Sequence, residues 1–539
     1  MSGVRRRDVL LAAGLGLLPF RLVAAERAPG GRDGIVHDRV NRHFGISTNH
    51  PLVTAAARSA REAGGGALDM LVAAMATSWV VDPANSSPYG RIQGLVTAPG
   101  EAWCLHAATR IRHGSDSTVP VPGNIAAVFH LRDSGELRLP LARSLRPAIA
   151  AARRGFAATP ALHTILARTA AELDPALRGI YLDADGHPRA TVVNPQLAAF
   201  LRLLAQARTE RDFWASLGPD GPWGEAELLD NAPRRGEPRR LALTGPGGAA
   251  CELQSTANLE TWGSWTLLGA AVAARLGAQG ALDSDARAHE AFLLASILLL
   301  ERIPFAVGTL VPKVARPSVE FDIGSESARL AAEVGALLRA PPDALQRALG
   351  STGFGAEAAR TDDRNTTHFA IADGGRFAGF TTSIGPWFGS RRAWWGAALG
   401  YSYAMRSGLY FDGQTHDVTE LSPVHVLRDG RPWLGLGAAG SERILGSLTW
   451  LLFLRFGLGR TEPAAELMRW PRLFPKDGRV RIHHDLPAGV QAHLRARGFR
   501  LEPTGYDLAQ HLGIVNLVEQ VRPGVFRSGA DPSSSGAAY

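Results

Sequence analysis

The sequence predicts a mixed α and β fold, helical through its first two-thirds and strand-rich at its end. Three observations carry that reading. Ala-rich stretches with helical spacing dominate up to residue 350, a small and polar stretch at 353–365 interrupts them, and period-two alternation takes over afterwards. At 539 residues, 45% hydrophobic and 20% charged, the chain can bury a large core as one big domain or two to three ordinary ones. This composition excludes a disordered, collagenous or disulfide-stapled chain.

The elements follow in order. Arg5, Arg6 and Arg7 precede an apolar run at 9–20 and the small residues Ala24 and Ala25. A basic start, a short apolar core and a small-residue cleavage site describe an export signal over 1–25, and consecutive arginines favour the twin-arginine route. The run is too short to span a bilayer. Export makes the expected location periplasmic or extracellular. Residues 51–81, broken by Gly64, Gly65 and Gly66, predict two packed helices joined by a glycine turn, with Pro83 closing the second. Helical patterns fill 150–350, as at 160–173 and 328–338, apart from a Pro, Gly and Arg-rich interruption at 218–248. Apolar runs at 291–300 and 448–454 are short, are followed by Arg302 and Arg455, and read as buried helices rather than membrane spans.

After the polar linker, Thr367, Phe369 and Ile371 alternate with His368, Ala370 and Ala372. Asp373, Gly374 and Gly375 offer the turn into a second strand at 377–384, which is hairpin chemistry. A second hairpin pairs 424–427 with 433–436 around Asp429 and Gly430, and a helix follows at 442–456.

Charge says little about partners. Lys plus Arg is 58 against 50 acidic residues, a net +8, but only Lys313 and Lys476 are lysines. Scattered arginine lacks the clustered face of a nucleic-acid binder, so no nucleic-acid partner is expected. Cys104 and Cys251 allow at most one disulfide and exclude a Cys-rich zinc site; two buried free thiols are the expected state.

The candidate chemistry sits at Asn365-Thr366-Thr367-His368, where the helical part meets the strands. Alone, a Thr-Thr pair entering a strand is an ordinary strand start, because β-branched residues suit a pleated surface. The surroundings add to it. Thr366-Thr367-His368 is followed in order by Asp373, Gly374-Gly375, Thr381-Thr382 and Phe388-Gly389. Further on come Ser422-Pro423, Asp429-Gly430, Trp433, Gly437, Gly440, Arg443-Ile444 and Gly529-Ala530-Asp531-Pro532. Near the start stand His50-Pro51, the glycine turn and Ala67-Leu68-Asp69. In this order and spacing the chain resembles the gamma-glutamyltransferase (gamma-glutamyl transpeptidase) family of N-terminal-nucleophile hydrolases, over most of its length but sparsely between 110 and 350.

The resemblance implies an α+β fold, a four-layer αββα sandwich. It implies a precursor that cuts itself between Asn365 and Thr366 into a large chain, 26–365, and a small chain, 366–539, which stay together as a heterodimer. Before the cut the Thr366 nitrogen is an amide. Afterwards it is an amine with a reference pKa of roughly 7.7–8.0, able to activate the residue's own hydroxyl. Attack on an amide carbonyl gives an acyl-enzyme that water or an acceptor amine resolves. Gly440 and Ser441 match the family's glycine pair, whose backbone N–H groups hold the oxyanion. Ser383 matches a second hydroxyl of the catalytic region.

The resemblance weakens around the substrate. The family's carboxylate-binding arginine is expected on the strand at 103–108, where this chain offers His106. The family's paired serines fall at Thr419 and Glu420, and an acidic side chain there repels a carboxylate. The amine-binding segment falls at 400–404 and has lost its Asn and Asp. The glycine run reads Tyr89-Gly90-Arg91-Ile92-Gln93-Gly94. Trp387, Trp394 and Trp395 around Arg391 and Arg392 either line a larger pocket, with Arg391 facing the substrate, or pack in the core.

Other motifs offer less. His483, His484 and Asp485 suggest a surface loop, because adjacent histidines on a strand point to opposite faces. His416 and His425 lack spaced partners, and the turn at 245–248 is followed by no phosphate-cradling Lys. No metal or nucleotide cofactor is expected; the partner is a small-molecule or peptide amide. The reading is therefore an exported N-terminal-threonine amidohydrolase or acyltransferase acting on an altered gamma-glutamyl-like group. The alternative is a catalytically degenerate relative that binds a ligand, and a transferase acting on cell-envelope peptides is a third.

Overall fold

A computed structural model describes residues 37–306, 310–352, 354, 366–508, 511–531, 533 and 535–539. The export signal, Asn365 and nearly all of the 353–365 linker lie outside these residues.

Two seven-stranded antiparallel sheets form the centre, built from fourteen strands: β1 (His37–Arg42), β2 (Phe44–Thr48), β3 (Arg91–Ala98), β4 (Glu101–Ala107), β5 (Arg234–Gly236), β6 (Arg239–Thr244), β7 (Ala250–Ser255), β8 (Thr367–Asp373), β9 (Arg376–Ser383), β10 (Val424–Arg428), β11 (Arg431–Ala439), β12 (Ile514–Arg522), β13 (Val525–Ala530) and β14 (Ala537–Ala538). The first sheet runs β14-β2-β8-β9-β3-β4-β5 and the second β1-β13-β12-β11-β10-β7-β6. Both predicted hairpins are present, as β8–β9 and β10–β11, at the middle of their respective sheets.

Helices cover the outer faces. On the first sheet lie α1 (Pro51–Glu62), α2 (Ala67–Val81), α3 (Arg146–Arg154) and α4 (Pro195–Gln206). On the second lie α5 (Gly263–Ala278), α6 (Asp285–Arg302), α7 (Ile323–Arg339) and α8 (Arg443–Leu452). This is the four-layer αββα arrangement. Every residue of α2 is buried, which suits a helix that is apolar on all sides. Asp69, fully buried, accepts from the N–H groups of Gly66, Arg138 and Leu139, so the Ala67-Leu68-Asp69 motif ties the helix start to a neighbouring loop. Among the described residues no helix is long and apolar enough to cross a membrane. Cys104 and Cys251 are both free and buried, and burial pushes the Cys104 thiol up to about 12.

Two expectations need correction. The interruption at 218–248 contains strands, since β5 and β6 add an edge strand to each sheet. β5 is three residues long, and both strands open on an Arg pair. His483 is not in a surface loop: it is buried at the end of the strand Arg479–His483, and its Nδ1 accepts from the Arg472 N–H. Trp387, Trp394 and Trp395 pack into the helical layer, in line with the core-packing reading; Trp394 lies against Tyr89 and Trp223, with ring centroids 5.7 and 5.9 Å away.

The space between the sheets is largely polar. Its apolar part is Ala370, Ala372, Phe377, Val518 and Phe526. His368 bonds Thr381 at 2.8 Å, and His425 reaches across to Thr97, also at 2.8 Å. Glycines make room for the imidazoles: a Cβ on Gly437 would meet His368 at 2.2 Å. Burial lowers both histidines to about 3, so both are neutral in the fold. In the unfolded chain they take up a proton near pH 6.5. Stability is therefore complete above that pH and falls below it, by about 1.4 kcal/mol per pH unit for each. Calorimetry between pH 7 and 4.5 should show a falling Tm, with a shallower slope in His425→Gln. An unchanged slope in that variant would refute the assignment.

Candidate active site

Strand register assembles the first part of the site. Thr367 opposes Thr382 across β8 and β9, and Ser383 opposes Arg91 across β9 and β3. Thr366, one residue before β8, therefore stands beside Ser383 and Arg91 on one rim of the first sheet. The facing sheet supplies the second part. β11 ends at Ala439, and the turn through Gly440 and Ser441 leads into α8. The Gly440 N–H donates to the Thr366 Oγ1 at 3.1 Å. Thr366 is 3% exposed.

Gly440 has φ +121°, and a Cβ there would lie 2.5 Å from the buried His511 ring, so only glycine fits. Ser441 adopts φ +58°, costing about 1 kcal/mol in a non-glycine residue. Its hydroxyl donates to Glu420 Oε1 at 2.7 Å. The N-terminus of α8 lies directly behind the turn, so its dipole favours negative charge at this point.

Thr366 and Ser441 share a narrow cleft with Arg91, Ser383, Tyr403, Thr419 and Glu420, holding about 20 Å³ of space. Of the residues singled out in the sequence, the structure thus brings together Thr366, Ser383, Thr419, Glu420 and Ser441, with Gly440 bonded to the threonine. His106 and Arg391 are not in the cleft lining. His106 bonds Gln93 at 2.8 Å, and burial lowers it to about 4, so it supplies no cation at neutral pH. Arg391 forms an ion pair with Glu172.

The cation in the cleft is Arg91, which the sequence reading passed over as a departure from a glycine run. An arginine opening a buried strand that carries no other charge was the available signal. Arg91 is 3% exposed. It pairs with Asp417 at 3.5 Å and donates to the Tyr401 carbonyl at 2.8 Å, while its Nε–H meets no acceptor among the described residues. Asp417 also accepts from Thr109 at 2.7 Å and Ser402 at 2.5 Å; burial pushes its carboxyl up, against the pull of Arg91. One carboxylate is thus divided among three donors. For a metal, the described residues offer one exposed group, Asp183, Asp185 and His187, but Asp183 already accepts from the N–H groups of the other two in a turn.

The two facing sheets between helical layers have the fold of the N-terminal-nucleophile hydrolases. Residues 101–218 match the gamma-glutamyltranspeptidase family model. Two curated relatives from Pseudomonas strains, each an "Acylase ACY 1 proenzyme", are 27% identical over 516 and 517 residues, covering 85% of this chain and 87% of theirs. The cephalosporin acylase of Bacillus halodurans superposes with a TM-score of 0.70 at 19% identity, over 93% of this chain and 96% of that one. The chain is thus similar to gamma-glutamyltranspeptidases in one segment and, over most of its length, to acylase proenzymes.

The turn can be tested by substitution. Gly440→Ala should lose about 2–3 kcal/mol, from the unfavourable φ and the His511 contact. Ser441→Gly, which relieves a positive φ but loses one hydrogen bond, should stay within about 1 kcal/mol of the parent. Paired thermal melts check both, and equal losses would contradict this account of the turn.

Proposed function

We propose that this chain is the precursor of an N-terminal-threonine amidohydrolase that cuts itself between Asn365 and Thr366. The observation that carries the reading is the Gly440 N–H on the Thr366 hydroxyl, within a cleft that also holds a cation and an anion. Once freed, the Thr366 amine takes the hydroxyl proton as the oxygen attacks the amide carbon. The C–N bond then breaks, and the same amine returns the proton to the leaving nitrogen. The carbonyl oxygen, negative in the tetrahedral intermediate, takes hydrogen bonds from the N–H groups of Gly440 and Ser441. Water, or an acceptor amine in a transfer reaction, then releases the acyl group. The proenzyme status of the Pseudomonas relatives supports processing into two chains.

The acyl group we infer is gamma-glutamyl-like, with a carboxylate directed to Arg91. Glu420 opposes a second anion and suits a positively charged or hydrogen-bond-donating substituent. This differs from the plain carboxylate repulsion expected of Glu420, because Arg91 brings a compensating charge to the same cleft.

The first test is the intact mass of the purified protein beside a Thr366→Ala control. A small chain of residues 366–539, absent from the control, is expected. An uncut chain would defeat the mechanism and favour a ligand-binding protein instead. The second test compares γ-glutamyl-, glutaryl- and butyryl-p-nitroanilide. Butyryl should be the poorest substrate, and Arg91→Met should raise KM for the two charged ones by roughly tenfold or more. Equal treatment of all three would remove Arg91 from the acyl pocket.

A further inference from the structure

After cleavage Thr366 is held covalently only on its carboxyl side, and its amine must be left to handle the proton. Its hydroxyl attacks, and the Gly440 N–H has to turn to the oxyanion. Its carbonyl is then the backbone group left to anchor it. Within the sheet, β8 pairs with β2 only from Ala370 to Asp373, because the chain leaves β2 after Thr48 and enters α1 at Pro51. Thr366 lies beyond that ladder.

A side chain fills the gap. Asn49 Nδ2 donates to the Thr366 carbonyl at 3.3 Å. Asn516 Nδ2 donates to Asn49 Oδ1, and the Ser47 hydroxyl lies 2.8 Å from Asn516 Oδ1, with the Gly529 carbonyl as a second acceptor at 2.6 Å. Asn49 is 1% exposed, and Ser47 and Asn516 are fully buried. The direction of the chain is set chemically. A carbonyl only accepts, so Asn49 must give it the NH₂; its oxygen must then accept, so Asn516 must also present NH₂. Asn516 belongs to β12 of the other sheet, directly opposite Gly437 of β11, three residues before Gly440. The bonds therefore join the two halves of the site: the threonine on one sheet and its N–H donor on the other.

We propose that Asn49 and Asn516 are positioning residues that hold Thr366 against the Gly440 turn, both for self-cleavage and for turnover. The proposal rests on Thr366 being the nucleophile. Asn49 meets Thr366 at its carbonyl, and Asn516 acts through Asn49. Each acts by fixing the distance between the attacking oxygen and the oxyanion donors, where a displacement of about 1 Å costs up to a hundredfold in rate.

Asn49→Asp and Asn516→Asp replace one NH₂ with oxygen at constant shape, and Asn49→Ala removes the donor without burying an acid. If the Asp variants do not fold, Asn49→Ala carries the test. In the full-length chain, self-cleavage followed by intact mass should slow by tenfold or more at temperatures where melting shows the variant folded. In the matured fraction, held at temperatures where it is folded and normalised to titrated active sites, kcat on γ-glutamyl-p-nitroanilide should fall with KM unchanged, the pattern of an interaction that counts only in the transition state. Folded variants that cleave and turn over at the parental rate would overturn the relay. Failure of the parent to cleave, or cleavage in Thr366→Ala, would instead overturn the nucleophile assignment and the relay with it.

Discussion

The hydrogen bond from Gly440 to Thr366 spans the gap between two sheets, so it exists only while those sheets keep their spacing and register. Apolar burial alone does not set that spacing. The apolar cluster between the layers has five residues, two of them alanines, whereas the outer interfaces with the helices carry long runs of Leu, Val and Phe. A non-directional contact tolerates sliding. Hydrogen bonds do not. The pairs His425–Thr97 and Ser47–Asn516 run from sheet to sheet, and His368 rests on the bare backbone of Gly437. The interior is polar because it has to fix a distance rather than only exclude water.

That division also explains what could be read from the sequence. Helices α1 and α2 and the two central hairpins follow local rules: apolar spacing, a glycine break with Gly64 at φ +94°, and Asp-Gly turns. Thr366 was legible as a candidate nucleophile only through the resemblance, since Thr366-Thr367-His368 by itself is an ordinary strand start. Edge strands were not. β1 reads HDRVNR and β5 reads RRG, since a strand open to solvent has little need of an apolar face.

The cleft itself was legible only in part, since it depends on register between distant segments. Arg91 stands beside Ser383 because β9 and β3 pair with that alignment, and nothing local to either segment encodes it. The same holds for Asn49 and Asn516, separated by 467 positions in the chain. His106 was chosen from the neighbouring strand β4, one strand too far from Thr366. Its imidazole went to Gln93 instead, and burial without an acidic partner close enough to hold the proton made it neutral.

Ser441 and Glu420 are best understood as one change. A glycine at 441 would adopt φ +58° without strain but would leave the turn with no side chain toward the cleft. Serine costs about 1 kcal/mol at that φ and recovers a comparable amount through its bond to the Glu420 carboxylate. The bond fastens the Glu420 wall of the cleft to the Gly440–Ser441 turn. Arg91 on the opposite side is already shared with Asp417, so the cleft brings a partly compensated cation and an anchored anion toward the same small space. Charges arranged in this way would favour complementary charge on any group entering the cleft rather than length alone. A purely aliphatic chain would desolvate both groups and return nothing to either.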